Sequence, residues 1–105
     1  MDSDDDQVIA VVDDDDAVRD SMAFLLLATG HKVSTYASAN EFLANCDIGH
    51  VAGLILDHHM PNVTGLELLS ELRNKGWRSP VLLVTGSPSP DILERADRLK
   101  VISRW

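Results

Sequence analysis

Short apolar runs alternate with helix-length amphipathic segments along the whole chain, and this alternation limits the fold more than any other feature. Val8–Val12, residues 54–56 and Val81–Val84 are continuously apolar, which is typical of strands covered on both faces. Residues 32–36 alternate polar and apolar side chains and predict a shorter strand. Strands and helices that follow one another over short connections form right-handed crossover units. The sequence therefore predicts a largely parallel sheet with helices on both faces.

Capping residues mark where the helices begin and end. Residues 17–29 carry apolar side chains at helical spacing, and Gly30 follows as a stop. In two further places a Ser or Thr precedes a Glu by three residues, the capping-box pattern that opens a helix. These pairs are Ser38 with Glu41 and Thr64 with Glu67. A fifth strand is expected to begin at residues 101–102, and no helix-length segment follows it. The predicted fold is a doubly wound, five-stranded, largely parallel sheet with helices on both faces.

Length and charge restrict the domain organisation and the classes of partner. The chain of 105 residues has the size of one domain. We predict an acidic tail at residues 1–7 and a single domain at residues 8–105. The formal net charge of -8 argues against nucleic acid or an anionic membrane as a direct partner, because both are negatively charged.

Apolar stretches and cysteine content point to a cytoplasmic protein. The longest apolar stretches fall short of the roughly 20 residues that span a bilayer, and the amino terminus lacks the pattern of a signal peptide. Cys46 is the single cysteine, so no internal disulfide can form, as is usual in a reducing compartment.

Polar residues follow three of the predicted strands. Asp13 and Asp14 come after the first strand, Asp57 after the third and Thr85 after the fourth. The carboxyl ends of parallel strands meet at one edge of the sheet, where ligands bind in open α/β folds. Carboxylates that share a site repel one another unless a cation neutralises them, and Mg²⁺ prefers such oxygen ligands. A carboxylate beside that ion can act as the nucleophile in phosphoryl transfer.

Four sequence blocks in this order resemble the receiver domain of two-component response regulators, which has the CheY-like doubly wound fold. The blocks are residues 11–14 (Val-Val-Asp-Asp), 54–57 (Leu-Ile-Leu-Asp), 60–61 (Met-Pro) with 65–68 (Gly-Leu-Glu-Leu), and 84–86 (Val-Thr-Gly). The resemblance covers nearly the whole chain. It implies a phosphorelay response regulator that accepts a phosphoryl group from a histidine kinase or a phosphotransfer protein.

The resemblance also implies a role for each matching residue. Asp57 would be the phospho-acceptor, and Asp13 and Asp14 would hold Mg²⁺ together with Asp57. The backbone carbonyl of His59 would be a further metal ligand. Thr85 would be the switch hydroxyl that moves toward the phosphoryl group. The chain would signal by protein–protein interaction and would not be a turnover enzyme.

The carboxyl terminus departs from the receiver pattern. Receiver domains carry a lysine at the end of the fifth strand, usually followed by proline, and this chain has Arg104 there. Either Arg104 stands in for that lysine or the sequence ends just before it, and the forked guanidinium is not equivalent to a compact ammonium. The final helix is also absent. Because its loss leaves apolar surface uncovered, we expect either a longer natural product or a homodimer.

Three other functions compete with this interpretation. The chain could be a non-phosphorylated pseudo-receiver that only binds partners, or a fragment of a receiver-containing transcription regulator. A phosphatase of the haloacid dehalogenase type also uses a strand-end carboxylate, but it needs a second acid where this chain has His59. The neighbouring imidazoles of His58 and His59 point in different directions on an extended segment, so they do not predict a transition-metal site. They are expected to affect access of water to Asp57.

Overall fold

Five strands and four helices alternate along the chain in a computed structural model that describes residues 7–60, 63–84, 90–99 and 103–104. The strands are β1 (Val8–Val12), β2 (Val33–Tyr36), β3 (Val51–Asp57), β4 (Val81–Val84) and β5 (Ser103–Arg104). The helices are α1 (Asp16–Ala28), α2 (Ala39–Asn45), α3 (Gly65–Asn74) and α4 (Pro90–Arg98). A 3-10 turn at Ile48–His50 leads into β3.

All pairings in the sheet are parallel, and the strand order is β2-β1-β3-β4-β5. The order reverses direction between β1 and β3, which is the switch point at which doubly wound folds bind ligands. Val12 of β1 pairs with Leu56 of β3, and Asp57 pairs with Val84 of β4. These three strands therefore end at the same level, and the residues that follow them share one edge of the sheet.

The hydrophobic core lies between one face of the sheet and helices α2 and α3. Ala10, Val12, Leu54, Leu56 and Leu83 supply the sheet side of this core, and all are buried. The helix side consists of buried side chains that α2 and α3 turn toward the sheet, namely Phe42, Leu66, Leu69 and Leu72. Each fully buried aliphatic or aromatic side chain of this kind contributes about 1.5–3 kcal/mol to folding. This packing holds β3 and α3 rigidly beside each other.

The five-stranded, doubly wound prediction is confirmed. Val11 is buried on the opposite side from Ala10 and Val12, since neighbouring strand residues point to opposite faces, and α1 packs against β1 and β2. Helix boundaries lie within a residue of those expected, and Gly30 ends α1 with a positive φ of 90°. The fifth strand is described at Ser103–Arg104, whereas residues 101–102 lie outside the described residues. None of the described helices combines the length and apolar character needed to cross a membrane.

Helix α1 and the sheet face beside it carry an apolar surface that no described residue covers. No side chain of α1 is fully buried, and Phe24, Leu25 and Leu27 are 71%, 64% and 59% exposed. Between α1 and the sheet runs a groove of about 300 Å³, lined by residues that include Leu26 and Ile55. A surface helix with apolar side chains on more than one face is typical of a helix that is packed on more than one side.

We expect the chain of 105 residues by itself to self-associate through α1. Replacing Phe24 and Leu25 together by serine should shift the population toward the 11.5 kDa monomer, because these side chains expose the largest apolar area on the helix. Static light scattering on a sizing column measures this change. Ala44→Ser, at an exposed position of α2, is the control and should change nothing. A monodisperse monomer of the unmodified chain would contradict the prediction.

Candidate functional site

Asp57 is the last residue of β3 and emerges at the carboxyl edge of the sheet. The backbone N–H of His58 donates to the carbonyl of Val84 at 2.9 Å, which extends the β3–β4 pairing to the residue after Asp57. The backbone N–H of His59 then donates to Asp57 Oδ1 at 3.1 Å. The carboxylate is therefore held at the edge of the sheet by the turn that follows its own strand.

Asp13 follows β1 at the same edge, and its side chain is 6% exposed. Its backbone N–H donates to the carbonyl of Tyr36 at 3.1 Å, which anchors it to β2. Asp13 Oδ1 accepts the N–H of Asp15 at 2.9 Å. Arg19 reaches back from α1 and donates through Nη1 to the Asp13 carbonyl at 2.8 Å. These contacts orient the Asp13 carboxylate from the backbone side.

Asp13, Asp14 and Asp57 form an acidic cluster in which one oxygen from each carboxylate lies within 4.8 Å of the others. Burial raises the pKa of Asp57 above its ordinary value, and the charge of Asp14 raises it further, while the His59 N–H partly offsets both. Burial likewise raises the pKa of Asp13, and the charge of Asp57 adds to this effect. A cluster in which carboxylates resist joint ionisation favours a bound cation.

The donor set fits a hard divalent ion. Three carboxylate oxygens converge from the ends of two neighbouring strands, and Mg²⁺ is usually held by one or two carboxylates while it keeps several waters. Burial is the main cause of the raised pKa values of Asp13 and Asp57, and the charges of neighbouring carboxylates, which a dication would neutralise, add to it. The cluster can therefore bind a metal ion.

The aspartates that directly follow Asp14 have a different role. Asp15 is the N-cap of α1 and accepts the N–H groups of Ala17 and Val18 through one carboxylate oxygen. Asp16 lies in the first turn and forms an ion pair with Arg19. Negative side chains at this position complement the helix dipole. Asp15 and Asp16 therefore serve the helix rather than the cluster.

Gly65 allows α3 to begin directly against the backbone of the Asp57 strand. A Cβ at this position would lie 2.5 Å from the Asp57 carbonyl oxygen and 2.9 Å from His58 Cα. The N–H of Gly65 donates to the carbonyl of His58 at 3.2 Å. The capping box of Thr64 and Glu67 is present and fixes the start of the helix. The first turn of α3 is thus built onto the residues that position Asp57.

His58 supports this junction rather than the acidic cluster. Its side chain is 7% exposed, and Nδ1 accepts the backbone N–H of Leu66 at 3.4 Å. The His59 side chain is exposed and meets the His58 ring edge to face. The centroids of the two rings are 5.2 Å apart, and among the described residues neither imidazole belongs to the group of possible metal ligands.

The side chains of two expected site residues lie outside the described part of the structure. Thr85 lies outside the described residues. Arg104 lies on β5, where its backbone pairs with Leu83 of β4. The next residue of β4, Val84, pairs with Asp57. Sequence reasoning did not find the close approach at Gly65 or the contact from Arg19 to Asp13. A glycine directly after a capping threonine was the available signal, since glycine is a poor helix former.

The fold and the acidic cluster define a class of protein, and the comparison with protein families agrees. The family model of the response regulator receiver domain matches residues 9–101 of this sequence. The chain belongs to this family and is a receiver domain of the phosphorelay response regulator type. The division of the chain into an acidic tail at residues 1–7 and a domain at residues 8–105 stays a prediction.

Individual relatives and solved structures support the same assignment. The transcriptional regulatory protein FixJ of Azorhizobium caulinodans is 44% identical over 79 residues, covering 74% of this chain and 37% of that relative. The chain thus spans well under half of the length of this relative. Chemotaxis protein CheY4 of Vibrio cholerae superposes with a TM-score of 0.84 at 25% identity, over 94% of this chain and 84% of that chain. Response regulator TrrA of Thermotoga maritima was solved in complex with Mg²⁺–BeF. It superposes with a TM-score of 0.76 at 27% identity, over 93% of this chain and 84% of that chain.

Gly65→Ala should destabilise the protein by about 1–3 kcal/mol, because the added methyl group meets backbone atoms that cannot move independently. Urea unfolding at equilibrium measures the loss. Gly49→Ala is the matched control, since a Cβ there meets only the flexible Asp47 carboxylate at 3.2 Å. Equal losses in both variants would show that the approach of α3 to Asp57 is not tight.

Asp57→Asn should stabilise the protein at neutral pH, because it removes a half-buried charge from a group of repelling carboxylates. The raised pKa of Asp57 means that the folded state binds the proton more tightly than the unfolded state. The charge therefore costs stability above the folded pKa, and this cost disappears as the pH falls through the folded pKa to about 4, the ordinary value. We expect Tm to rise by a few degrees at pH 7.

Thermal unfolding between pH 7 and pH 4 in the absence of divalent ions measures the difference in Tm between Asp57→Asn and the unmodified chain. The difference should shrink toward pH 4. Asp20→Asn removes the same formal charge from an exposed position of α1 and should give a smaller difference. A difference for Asp57→Asn that is independent of pH would contradict the expectation.

Proposed function

We propose that Asp57 is the phospho-acceptor of this receiver domain. The observation that supports this role most strongly is the convergence of the Asp13 and Asp14 carboxylates with that of Asp57, at the switch point of the sheet. A carboxylate oxygen of Asp57 attacks the phosphorus of a phosphohistidine. A P–O bond forms, the P–N bond breaks, and the imidazole leaves with the bonding electron pair. The product is an aspartyl phosphate at the carboxyl edge of the sheet.

We propose Mg²⁺ as the cation of the acidic cluster. Asp13, Asp14 and Asp57 would hold it through carboxylate oxygens, and the carbonyl of His59 would be a further ligand. When bound, the ion neutralises the charge of the incoming phosphoryl oxygens and of the surrounding carboxylates. The related TrrA structure was solved in complex with Mg²⁺–BeF, which supports this choice of metal.

Thr85 and Arg104 complete the proposed site. Val84 pairs with Asp57, and Thr85 is the next residue in the sequence. The Thr85 hydroxyl would donate a hydrogen bond to a phosphoryl oxygen. Arg104 would provide the cation that receivers usually take from lysine, since it lies on β5 near the level of Asp57. An arginine can donate two parallel hydrogen bonds to a phosphoryl group, so it would hold the group differently from lysine.

The partners of the chain follow from this role. We propose that a histidine kinase or a phosphotransfer protein is the phosphodonor and that the phosphorylated domain signals by binding a protein, without turnover of a substrate. The net charge of -8 argues against nucleic-acid binding by this chain itself. FixJ is a transcriptional regulatory protein of which this chain covers 37%, so we propose a role as the receiver part of a longer regulator in the cytoplasm. The apolar surface of α1 is the proposed contact of a homodimer.

Incubation with acetyl phosphate and Mg²⁺ should add one phosphoryl group, about 80 Da, to the protein, because a small acyl phosphate can replace the kinase as donor. Intact-mass spectrometry measures the gain. Asp57→Ala should abolish it, and chelation of Mg²⁺ or Asp13→Asn should slow it at least tenfold. Asp47→Ala, which removes an exposed carboxylate at the start of the 3-10 turn, is the matched control and should leave the gain intact.

A mass gain that survives Asp57→Ala would assign the acceptor to another residue. The absence of any gain in a folded protein would favour the pseudo-receiver, which only binds partners. Turnover of a generic phosphate ester would instead favour the phosphatase of the haloacid dehalogenase type.

A further inference from the structure

Positive charge in this chain is concentrated at its carboxyl-terminal end. The first 72 residues contain 2 basic and 14 acidic side chains, whereas residues 73–105 contain 7 basic and 3 acidic side chains. The protein as a whole is acidic, so this reversal of charge creates a local field opposite in sign to the rest of the surface. The receiver function proposed above does not use the basic side chains of α3 and α4.

Three of these arginines line one pocket between the carboxyl ends of α3 and α4. The pocket has a volume of about 220 Å³, and its described lining consists of Arg73, Asn74, Arg78, Arg98 and Leu99. No carboxylate is among these lining residues. The lining places the guanidinium groups of Arg78 and Arg98 and one amide beside the positive charge of Arg73, and guanidinium and amide N–H groups are donors suited to an oxyanion.

Arg73 forms the rigid floor of the pocket. Its side chain is 8% exposed, and it donates through Nε to the Leu99 carbonyl and through Nη1 to the Ser79 carbonyl, both at 2.9 Å. The guanidinium also lies 5.2 Å from the centre of the Trp77 ring. Burial lowers the pKa of Arg73, and the nearby charge of Arg78 lowers it further. An anion in the pocket would relieve this repulsion between like charges.

Arg78 and Arg98 complete the pocket from its two sides. Arg78 donates through Nη1 to the Arg73 carbonyl at 2.7 Å, at the end of α3. Arg78 Nε and Nη2 form no hydrogen bond with the described residues. Arg98 forms an ion pair with Glu94 in which the side chains are 69% and 65% exposed. Exposed pairs of this kind contribute little to stability, so Arg98 can exchange Glu94 for another anion.

The end of α3 explains part of this arrangement but not all of it. A basic side chain that hydrogen-bonds the last carbonyls of a helix is common, and this accounts for Arg78, which donates to the Arg73 carbonyl. Arg73 itself donates to carbonyls of the loop before β4 and of the end of α4. It does not account for Arg98, which belongs to another helix and converges on the same pocket. We propose that Arg73, Arg78 and Arg98 form a binding pocket for an oxyanion, either a phosphoryl group or a carboxylate of an acidic peptide.

The pocket is separate from the acidic cluster. Gly65 at the first turn of α3 contacts the backbone of Asp57, and Arg73 lies eight residues further along the same helix, about 12 Å away along its axis. A ligand in the pocket therefore binds at the opposite end of α3 from the phospho-acceptor.

Titration of the ¹⁵N-labelled full chain at constant ionic strength tests the pocket. The two probes are inorganic phosphate and a peptide of four aspartates, each added in the absence of Mg²⁺. We expect saturable shifts of the Arg78 and Arg98 Nε–H signals and of the Asn74 and Leu99 amides, with a Kd in the millimolar range or below. Arg98→Gln should weaken binding at least fivefold without a change in fold, because its described contact is the exposed Glu94.

Lys75→Gln is the matched control. It removes one positive charge, as Arg98→Gln does, and it lies at the end of α3 near the pocket but outside the pocket lining. It should weaken binding less than twofold. Saturation by phosphate alone would identify the ligand as a phosphoryl group, and saturation by the peptide alone would identify it as an acidic peptide. Saturation by both probes would show that the pocket recognises the oxyanion that they share. No saturable shift with either probe, or equal losses in Lys75→Gln and Arg98→Gln, would overturn the proposal.

Discussion

The parallel pairing of β1 with β3 is the constraint on which the acidic cluster depends. The register that places Val12 beside Leu56 also brings Asp13 next to Asp57, because Asp57 ends β3 and Asp13 directly follows β1. Burial raises the pKa of both carboxyls, the charge of Asp57 adds to this effect on Asp13, and the charge of Asp14 adds to it on Asp57. A slip of one residue would turn every strand side chain to the other face. The core packing that prevents this slip therefore also keeps the acidic cluster together.

The position of α3 is the second requirement of the site. Gly65 brings the first turn of α3 against the carbonyl of Asp57, and His58 accepts a hydrogen bond from Leu66 at the same junction. The far end of α3 carries Arg73, which is held by carbonyls of the loop before β4 and of the end of α4. One helix thus links the acidic edge of the sheet to the basic pocket at the opposite edge. The packing of its leucines on the sheet makes that link rigid.

The two faces of the sheet differ in how completely they are covered. Helices α2 and α3 bury a continuous core on one face, whereas α1 leaves Phe24, Leu25 and Leu27 exposed beside an open groove on the other. A receiver domain that functions as part of a longer chain or an assembly can retain such a surface, since further protein covers it. The chain spans only 37% of the length of the related FixJ protein.

Much of the fold was determined by the sequence alone, because strand and helix periods, the cap at Thr64 and the stop at Gly30 are local signals. The grouping of Asp13, Asp14 and Asp57 was also predictable, since parallel strands bring their carboxyl ends to one edge. Only the tertiary structure revealed that Gly65 contacts the Asp57 backbone and that Arg73, Arg78 and Arg98 share a pocket. These contacts join residues whose separation in the chain carries no periodic signal. They depend on how helices are placed against the sheet, and that placement is decided by packing of the whole core.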